Sequence, residues 1–268
     1  EPWAMPLSES RLSTFLSGTP GAAETDDTRN AFLSGSITDL QSRMNIGNLV
    51  VGGQLSLGWR LRFERLFSAL NLPSGELTLL VQGMEAAYPK RGSTASFDAA
   101  LPPTQMDQLV WFGLSPSTIE ALKPHAALIS VRQTVLVNLN TASAEVIYAT
   151  GIEDPTPSAP KPSGMSMATA RALVEHRNSK FFRDMAVARF TAETMGSRDL
   201  VTDQWFSIKS NHFEVRGRLR LDDLALEELS TLKRDGRNVT ISSRRRTTVT
   251  TPEPGGLDYT SLQGQFGQ

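Results

Sequence analysis

The sequence predicts an α+β fold in which two strand-forming regions flank a helical middle. Short apolar segments separated by turn residues occupy residues 31–50, helical spacing begins near residue 57, and strict alternation returns after residue 203. Each strand region is too small to be stable alone, because an isolated hairpin is marginal in water. We therefore expect one domain with an antiparallel sheet, split in sequence by a large inserted all-helical domain.

The first strand region, residues 31–50, follows a polar loop at residues 18–30. Glu24, Asp26 and Asp27 cluster in this loop, and oxygen-rich loops can bind calcium. The spacing of an EF-hand is absent, which favours a solvated loop over a calcium site.

Apolar residues recur at three and four over the next segment and predict successive helices. The first helix starts near residue 57 and ends before Pro73, and a second and a third are marked by Leu77 to Met84 and by Met106 to Val110. Ser117 to Glu120 has the spacing of a capping box and predicts a short helix that stops before Pro124.

VNLNTASAEVI, residues 137–147, runs from an extended apolar segment into a helix predicted from about Thr141 to Thr150. Asn140 or Thr141 is expected to cap this helix. Segments of this kind open helix-hairpin-helix units, whose tight turn can hold a phosphate with backbone N–H groups at a helix N-terminus.

In this sequence the corresponding turn at Gly151 is followed by Glu153, Asp154 and a Pro-rich insert that extends to residue 165. Carboxylates beside a phosphate oppose its binding. We therefore interpret the motif as architectural, and a helix-hairpin-helix nucleic-acid-binding module is the alternative. The two carboxylates could also contribute to a calcium loop, although a solvated loop is favoured there too.

Ser166 is expected to cap a helix with Ala170, Leu173 and Val174 on one face, and residues 181–190 are predicted to form a further short helix. Residues 213–221 then alternate apolar side chains with Glu or Arg, which predicts a half-buried strand.

The last part of the chain continues this pattern as an antiparallel meander. Residues 224–233 are ambiguous between strand and helix, Asp235 to Asn238 is a turn signal, and residues 239–249 are predicted to form a strand. Residues 251–268 are rich in Pro, Gly and Gln, which predicts a disordered tail. Arg244, Arg245 and Arg246 lie either on a solvated sheet face or against an acidic partner.

Composition limits the possible chemistry. The formal net charge is −1, whereas nucleic-acid binders are usually basic, and the absence of cysteine excludes disulfides, thiolate metal sites and a cysteine nucleophile. His125, His176 and His212 lie far apart in sequence and are interpreted as surface or half-buried structural residues. No nucleophile elbow or phosphate-binding loop is found, which disfavours a hydrolase. We assign no catalytic, cofactor-binding or metal-binding residue.

Several stretches, in the same order, resemble the K-type minor pseudopilin family of bacterial type II secretion systems (general secretion pathway protein K). The resemblance is carried by residues 1–7, by VNLNTASAEVI, by the closing strands at 207–221 and 235–246, and by a polar series within residues 34–50. The members of that series are Ile37, Asp39, Gln41, Arg43, Asn45, Asn48 and Leu49.

The resemblance implies a pilin-like α/β domain, residues 1–56 and 197–250, split by an inserted helix-hairpin-helix or SAM-like domain at 57–196, with a tail at 251–268. It also implies that a hydrophobic N-terminal helix is missing from this fragment, in agreement with a chain that does not begin with methionine. That helix, after removal of a leader, would anchor the periplasmic globular part to the inner membrane of a Gram-negative bacterium.

The same resemblance implies a non-enzymatic protein at the tip of the periplasmic pseudopilus. Its expected partners are minor pseudopilins I and J, through them H and the major pseudopilin G, and secreted substrate proteins. Some members bind calcium through an acidic stretch, but the corresponding residues 81–103 contain only Glu85 and Asp98 as acidic residues. No calcium ligands are therefore assigned.

Overall fold

The computed structural model describes residues 5–12, 31–89, 101–131, 133–154, 163–197, 199–222 and 224–250. Three predicted features lie outside these residues: the 18–30 loop with Glu24, Asp26 and Asp27, most of the Pro-rich insert, and the 251–268 tail.

The chain divides into two compact units. The sheet unit comprises Glu1–Thr38 and Phe213–Gln268, and the helical unit comprises Asp39–His212. The helical unit thus starts at Asp39 rather than at residue 57, because Met44, Ile46 and Leu49 are buried in the same core as Trp59 and Phe63.

The sheet unit contains a five-stranded sheet built from both ends of the chain, and the spatial order of its strands follows their order in sequence. The strands are β1 (Leu7–Arg11), β2 (Ala31–Asp39), β3 (His212–Leu221), β4 (Leu224–Asp235) and β5 (Asn238–Thr250). The chain leaves this unit at the end of β2 and returns at the start of β3, and these two strands are neighbours in the sheet.

The predicted meander of β3, β4 and β5 is confirmed. The ambiguous segment 224–233 is strand, because it pairs with β5 in antiparallel register from Leu224↔Thr250 to Asp235↔Asn238. The turn between β4 and β5 uses Gly236 at φ +59°, a left-handed conformation that favours glycine.

The predicted burial of β3 holds at only one end of the strand. Phe213 is buried, but Leu219 and Leu221 are 37% and 44% exposed. Arg218 and Arg220 on the opposite face are only partly exposed. Arg220 stays partly buried because its Nε donates to Glu9 Oε1 at 2.8 Å and its guanidinium lies 4.2 Å from the centre of the Phe32 ring.

The helical unit is built mainly from six α-helices within the described residues. These are α1 (Leu57–Ala69), α2 (Ser74–Ala87), α3 (Pro116–Leu122), α4 (Ala144–Thr150), α5 (Met167–Ser179) and α6 (Met185–Thr194). The segment predicted as a third helix is a 3₁₀ helix, Met106–Phe112.

Short segments complete this unit. The 3₁₀ turns Leu40–Ser42 and Ile46–Leu49 alternate with two-residue strands in the region predicted as strands. Met44–Asn45 pairs in parallel with Ala126–Ala127, and Val137–Asn138 pairs in parallel with Phe206–Ser207. The core contains large side chains from α1, α2 and α4, including Trp59, Phe63, Leu66, Leu80, Met84, Val146 and Ile147.

Helix starts were predicted less well than helix existence. Ser166 caps α5 as expected, but α3 is capped by Ser115 rather than Ser117, because Pro116 takes the first helical position and Ser115 accepts from Thr118 N. The last helix begins at Met185, after a cap by Asp184, and not at residue 181. No helix among the described residues is long and apolar enough to cross a membrane.

Candidate functional site

The polar residues that define the sequence motifs come together inside the helical unit. We call this set the amide network; it consists of Asp39, Gln41, Asn45, Asn48, Asn138, Asn140, Thr141 and Ser210. They lie in segments that are far apart in sequence.

The Asp39 carboxylate is buried and accepts four hydrogen bonds. Oδ1 accepts from Gln41 N at 2.8 Å, and Oδ2 accepts from Asn138 Nδ2 at 3.0 Å, Thr141 Oγ1 at 2.5 Å and Ser210 Oγ at 2.6 Å. A buried carboxylate needs such donors because it has left water. Asp39 therefore joins the first motif to VNLNTASAEVI and to the segment before β3.

Gln41 extends the same connection. Its Nε2 donates to Leu136 O at 3.0 Å, and its Oε1 accepts from Asn211 N at 2.8 Å. His212 Nδ1 lies 3.4 Å from the same Oε1 and the ring is buried, which corrects the prediction that this histidine is at most half-buried. A single side chain thus satisfies backbone groups on two segments.

Asn45 makes the hydrogen bonds that a neighbouring strand would otherwise make to the loop after Ala127. Its Oδ1 accepts from Ile129 N at 2.9 Å and Gly47 N at 3.1 Å, and its Nδ2 donates to Ser130 O at 2.6 Å. The loop's backbone groups are therefore paired without a regular strand, as buried backbone groups require.

Asn48 makes the same kind of hydrogen bonds to Val135, a buried residue further along this loop. It donates to Val135 O at 2.8 Å and accepts from Val135 N at 2.9 Å, as a paired strand residue would. Gly47 lies between the two asparagines. A residue with a side chain would not fit there, because its Cβ would come within 1.9 Å of Ser130 O. The motif therefore needs its glycine for close backbone approach.

Asn140 and Thr141 do not cap α4, contrary to the prediction. Ser143 is the cap and accepts from Val146 N. Asn140 instead accepts from Phe182 N at 2.8 Å and donates to Phe182 O at 2.9 Å, while Thr141 donates to Asp39. The long-range partners take both side chains, so the helix starts three residues later.

The turn after α4, which would hold a phosphate in a nucleic-acid-binding unit, uses its N–H groups internally. Gly151 N, Ile152 N and Glu153 N donate to carbonyl groups of Ile147, Thr150 and Ser163. The carbonyl groups of Thr150 and Ile152 point at a cation, Arg62, at 3.1 and 2.6 Å. Because this turn presents acceptors, its geometry opposes phosphate binding.

Arg62 of α1 is completely buried, and each of its three guanidinium nitrogens donates a hydrogen bond. Besides the two carbonyl groups, it donates to Gly58 O at 2.9 Å and Asp154 Oδ1 at 3.0 Å, and it stacks 3.4 Å from the centre of the Trp205 ring. Burial lowers the pKa of Arg62 to about 10, against the opposing effect of Asp154. The guanidinium fixes α1 to the turn after α4.

Arg65, one helical turn later, reinforces this attachment. It donates to Tyr148 O at 3.0 Å and Met165 O at 2.8 Å, and burial lowers its pKa. Neither arginine is among the residues that the sequence pattern predicts as functional. The signal was present for Arg62, which lies three residues after Trp59 and beside Phe63 on the apolar face of α1.

The remaining candidates for metal or acid–base chemistry are dispersed. Asp154 pairs with Arg62 at 3.0 Å, and Glu153 accepts from Ser163 N at 3.2 Å. His125 lies by Ser143, and His176 stacks on Phe182. Among the described residues, no group of three or more His, Asp or Glu side chains could hold a metal ion.

The predicted arginine run lies on β5 in the sheet unit. Arg244 Nε and Arg246 Nε approach the two oxygens of Glu228 at 3.1 and 2.7 Å. The hydrogen bond from Arg246 lowers the pKa of Glu228. Two arginines therefore share one carboxylate on this strand pair.

The chain was compared with protein families, curated proteins and solved structures. No family model and no curated protein matches the chain. Among solved structures, the chain is similar to a chain described as part of the crystal structure of the GspK-GspI-GspJ complex from the enterotoxigenic Escherichia coli type 2 secretion system. The identity is 15%, the TM-score is 0.49, and the match covers 81% of this chain and 80% of the other.

Proposed function

We propose that this chain is a K-type minor pseudopilin, a non-enzymatic structural component of a type II secretion system at the tip of the periplasmic pseudopilus. The observation that carries the proposal is the amide network. Residues that give the sequence its resemblance to this family, from Asp39 to Asn48 and from Asn138 to Thr141, are hydrogen-bonded inside one unit. The resemblance thus concerns the framework of the fold and not scattered surface identities.

The proposal includes the split organisation of the chain. A pilin-like domain formed by both ends, with a helical domain inserted between them, is supported by the sheet unit, whose strands come from both ends of the chain. A bulky insertion suits a protein at a filament tip. Heterologous contacts build an open helical filament, and a subunit that lacks one contact surface stops its growth at one end.

The proposed partners are minor pseudopilins I and J, and through them H and the major pseudopilin G. The globular part would lie in the periplasm of a Gram-negative bacterium, with inner-membrane anchoring by a hydrophobic N-terminal helix. In this position the protein would promote pseudopilus assembly and protein export across the outer membrane.

The test is co-purification of residues 1–268 with the soluble domains of the I and J minor pseudopilins from the same bacterium. We expect a ternary complex in size-exclusion chromatography with light scattering, because the three proteins would form one tip assembly. The soluble domain of an unrelated periplasmic protein serves as the control. A chain that elutes as a monomer in the presence of both partners would contradict the proposal.

A further inference from the structure

The last strand of the sheet unit has one open side. β5 pairs with β4 along its whole length, and no strand lies on its other side among the described residues. Residues 238–248 are all exposed. A strand in this position presents a row of backbone N–H and C=O groups that can pair with another chain.

The edge of β5 is long, and it carries three positive charges in a row. Val239 and Ile241 are 58% and 49% exposed, and a register shift between Ile241 and Ser243 is the irregularity in the ladder. Edge strands are commonly blocked by charges. Here the charges are Arg244, Arg245 and Arg246, and β5 contains no acidic residue.

The β4–β5 hairpin carries a net positive charge, with six Lys and Arg residues against three Asp and Glu residues over residues 224–250. Glu228 on β4 is shared by Arg244 and Arg246, so one carboxylate faces two guanidinium groups. Arginine is well suited to pair with carboxylates because its planar guanidinium can bind them in a bidentate manner. The net positive charge of the hairpin favours an acidic partner.

We propose that the open edge of β5 is a docking site for an extended acidic segment of a partner protein, which adds to the sheet as a sixth strand. Backbone hydrogen bonds would supply affinity and Arg244 to Arg246 would supply selectivity. The edge and its charge are properties of the β4–β5 hairpin, so this pairing is expected whether or not the chain assembles with other pseudopilins.

Two other occupants fit less well. A second copy of this chain, paired edge to edge around Arg245, would place the two arginine runs opposite each other, and like charges in that position are destabilising. A nucleic-acid backbone would be contacted by side chains, needs no open strand edge, and leaves the exposed Val239 and Ile241 without a partner.

The experiment titrates residues 1–268 with a fluorescent nine-residue peptide of alternating Glu and Val. One control replaces every Glu by Lys, and a second keeps the charge but contains two prolines, which cannot donate backbone hydrogen bonds. We expect the acidic peptide to bind and the Lys peptide not to bind. The proline peptide should bind at least about tenfold more weakly than the acidic peptide.

Matched variants locate the site. Arg245→Glu should weaken acidic-peptide binding by about tenfold, whereas Arg237→Glu, the same change in the β4–β5 turn, should alter it by less than about twofold. Thermal melts by circular dichroism check that each variant is folded. Independently of any variant, hydrogen exchange in the wild-type chain should show new protection of backbone amides within residues 239–248 on binding.

The proposal is overturned if the acidic Glu-Val peptide and the proline peptide bind equally tightly. It is overturned as well if the β5 amides gain no protection from hydrogen exchange when the acidic peptide is added. It is also overturned if duplex DNA binds more tightly than the peptide with the same dependence on Arg245, which would make the arginine run a phosphate site. Dimers of the chain alone in sedimentation, with new protection of the same β5 amides, would show instead that the edge pairs with a second copy.

Discussion

The two units of this protein use polar side chains in opposite ways. The helical unit buries Asp39, Asn45, Asn48 and Arg62 and supplies each with hydrogen-bond partners. In the sheet unit, ion pairs such as those of Glu228 with Arg244 and Arg246 lie at the surface, and several apolar side chains stay exposed.

The difference follows from what holds the backbone in each unit. In the sheet unit, strand ladders satisfy backbone groups, so side chains remain available for the surface. In the helical unit, irregular segments around residues 127–140 cross the interior, and side-chain amides must replace the ladder. The helical unit therefore depends on buried polar side chains more than the sheet unit does.

The largest expected effect comes from Arg62→Ala. The change leaves the buried carbonyl groups of Thr150 and Ile152 without donors, and we expect the helical unit to lose about 3–5 kcal/mol of unfolding free energy. Urea unfolding followed by tryptophan fluorescence measures this, because Trp59 and Trp205 are buried in that unit.

Arg60→Ala is the control for this change, since Arg60 lies on the same helix and its side chain is 44% exposed in an ion pair with Glu64. It should change stability by less than about 0.5 kcal/mol. Equal losses in the two variants would show that the buried arginine is not distinct from a surface one.

A smaller loss is expected for Asn45→Ala. The backbone groups of Ile129 and Ser130 lose their side-chain partner, at a cost of about 1–3 kcal/mol. Asn211→Ala, whose side chain is exposed, is the matched control. If both variants unfold at the same urea concentration as the wild type, the loop does not depend on the amide network.

The smallest effect separates the units by their response to pH and salt. Partial burial raises the pKa of Glu76, but hydrogen bonds from Ser115 and Thr118 outweigh it, so the pKa is lowered in the folded state. Stability from Glu76 is therefore present above its unfolded pKa and is lost as the pH falls through its folded pKa.

The unfolding free energy of the helical unit, measured by fluorescence, should fall as the pH is lowered. We expect Glu76→Gln to make this fall less steep at both low and high salt. The pKa of Glu228 is lowered first by the hydrogen bond from Arg246, and that exposed ion pair is weakened by salt. The effect of Glu228→Gln, followed by circular dichroism, should therefore disappear at high salt. If the effect of Glu76→Gln disappeared at high salt and the effect of Glu228→Gln persisted, the contrast between the two units would be contradicted.

Much of the fold could be predicted because it depends on neighbours in sequence. The spacing of Trp59, Phe63 and Leu66 predicted α1, and the Asp235 to Asn238 turn signal predicted the β4–β5 hairpin. Residues 224–233 could not be assigned from their own pattern, since pairing with β5 decides that they are strand. The caps of α3 and α4 were misplaced for a similar reason, because Pro116 and the distant partners of Thr141 select the first residue.

The sequence by itself determined the order of strands and helices and the segments in which polar motifs occur, because apolar periodicity and turn chemistry act over a few residues. Only the tertiary structure decided what those polar residues do. Asn48 reaches Val135 across 87 positions, and Asp39 reaches Ser210 across 171. A buried polar group must be paired wherever its partner lies in the chain, and no local pattern encodes that partner.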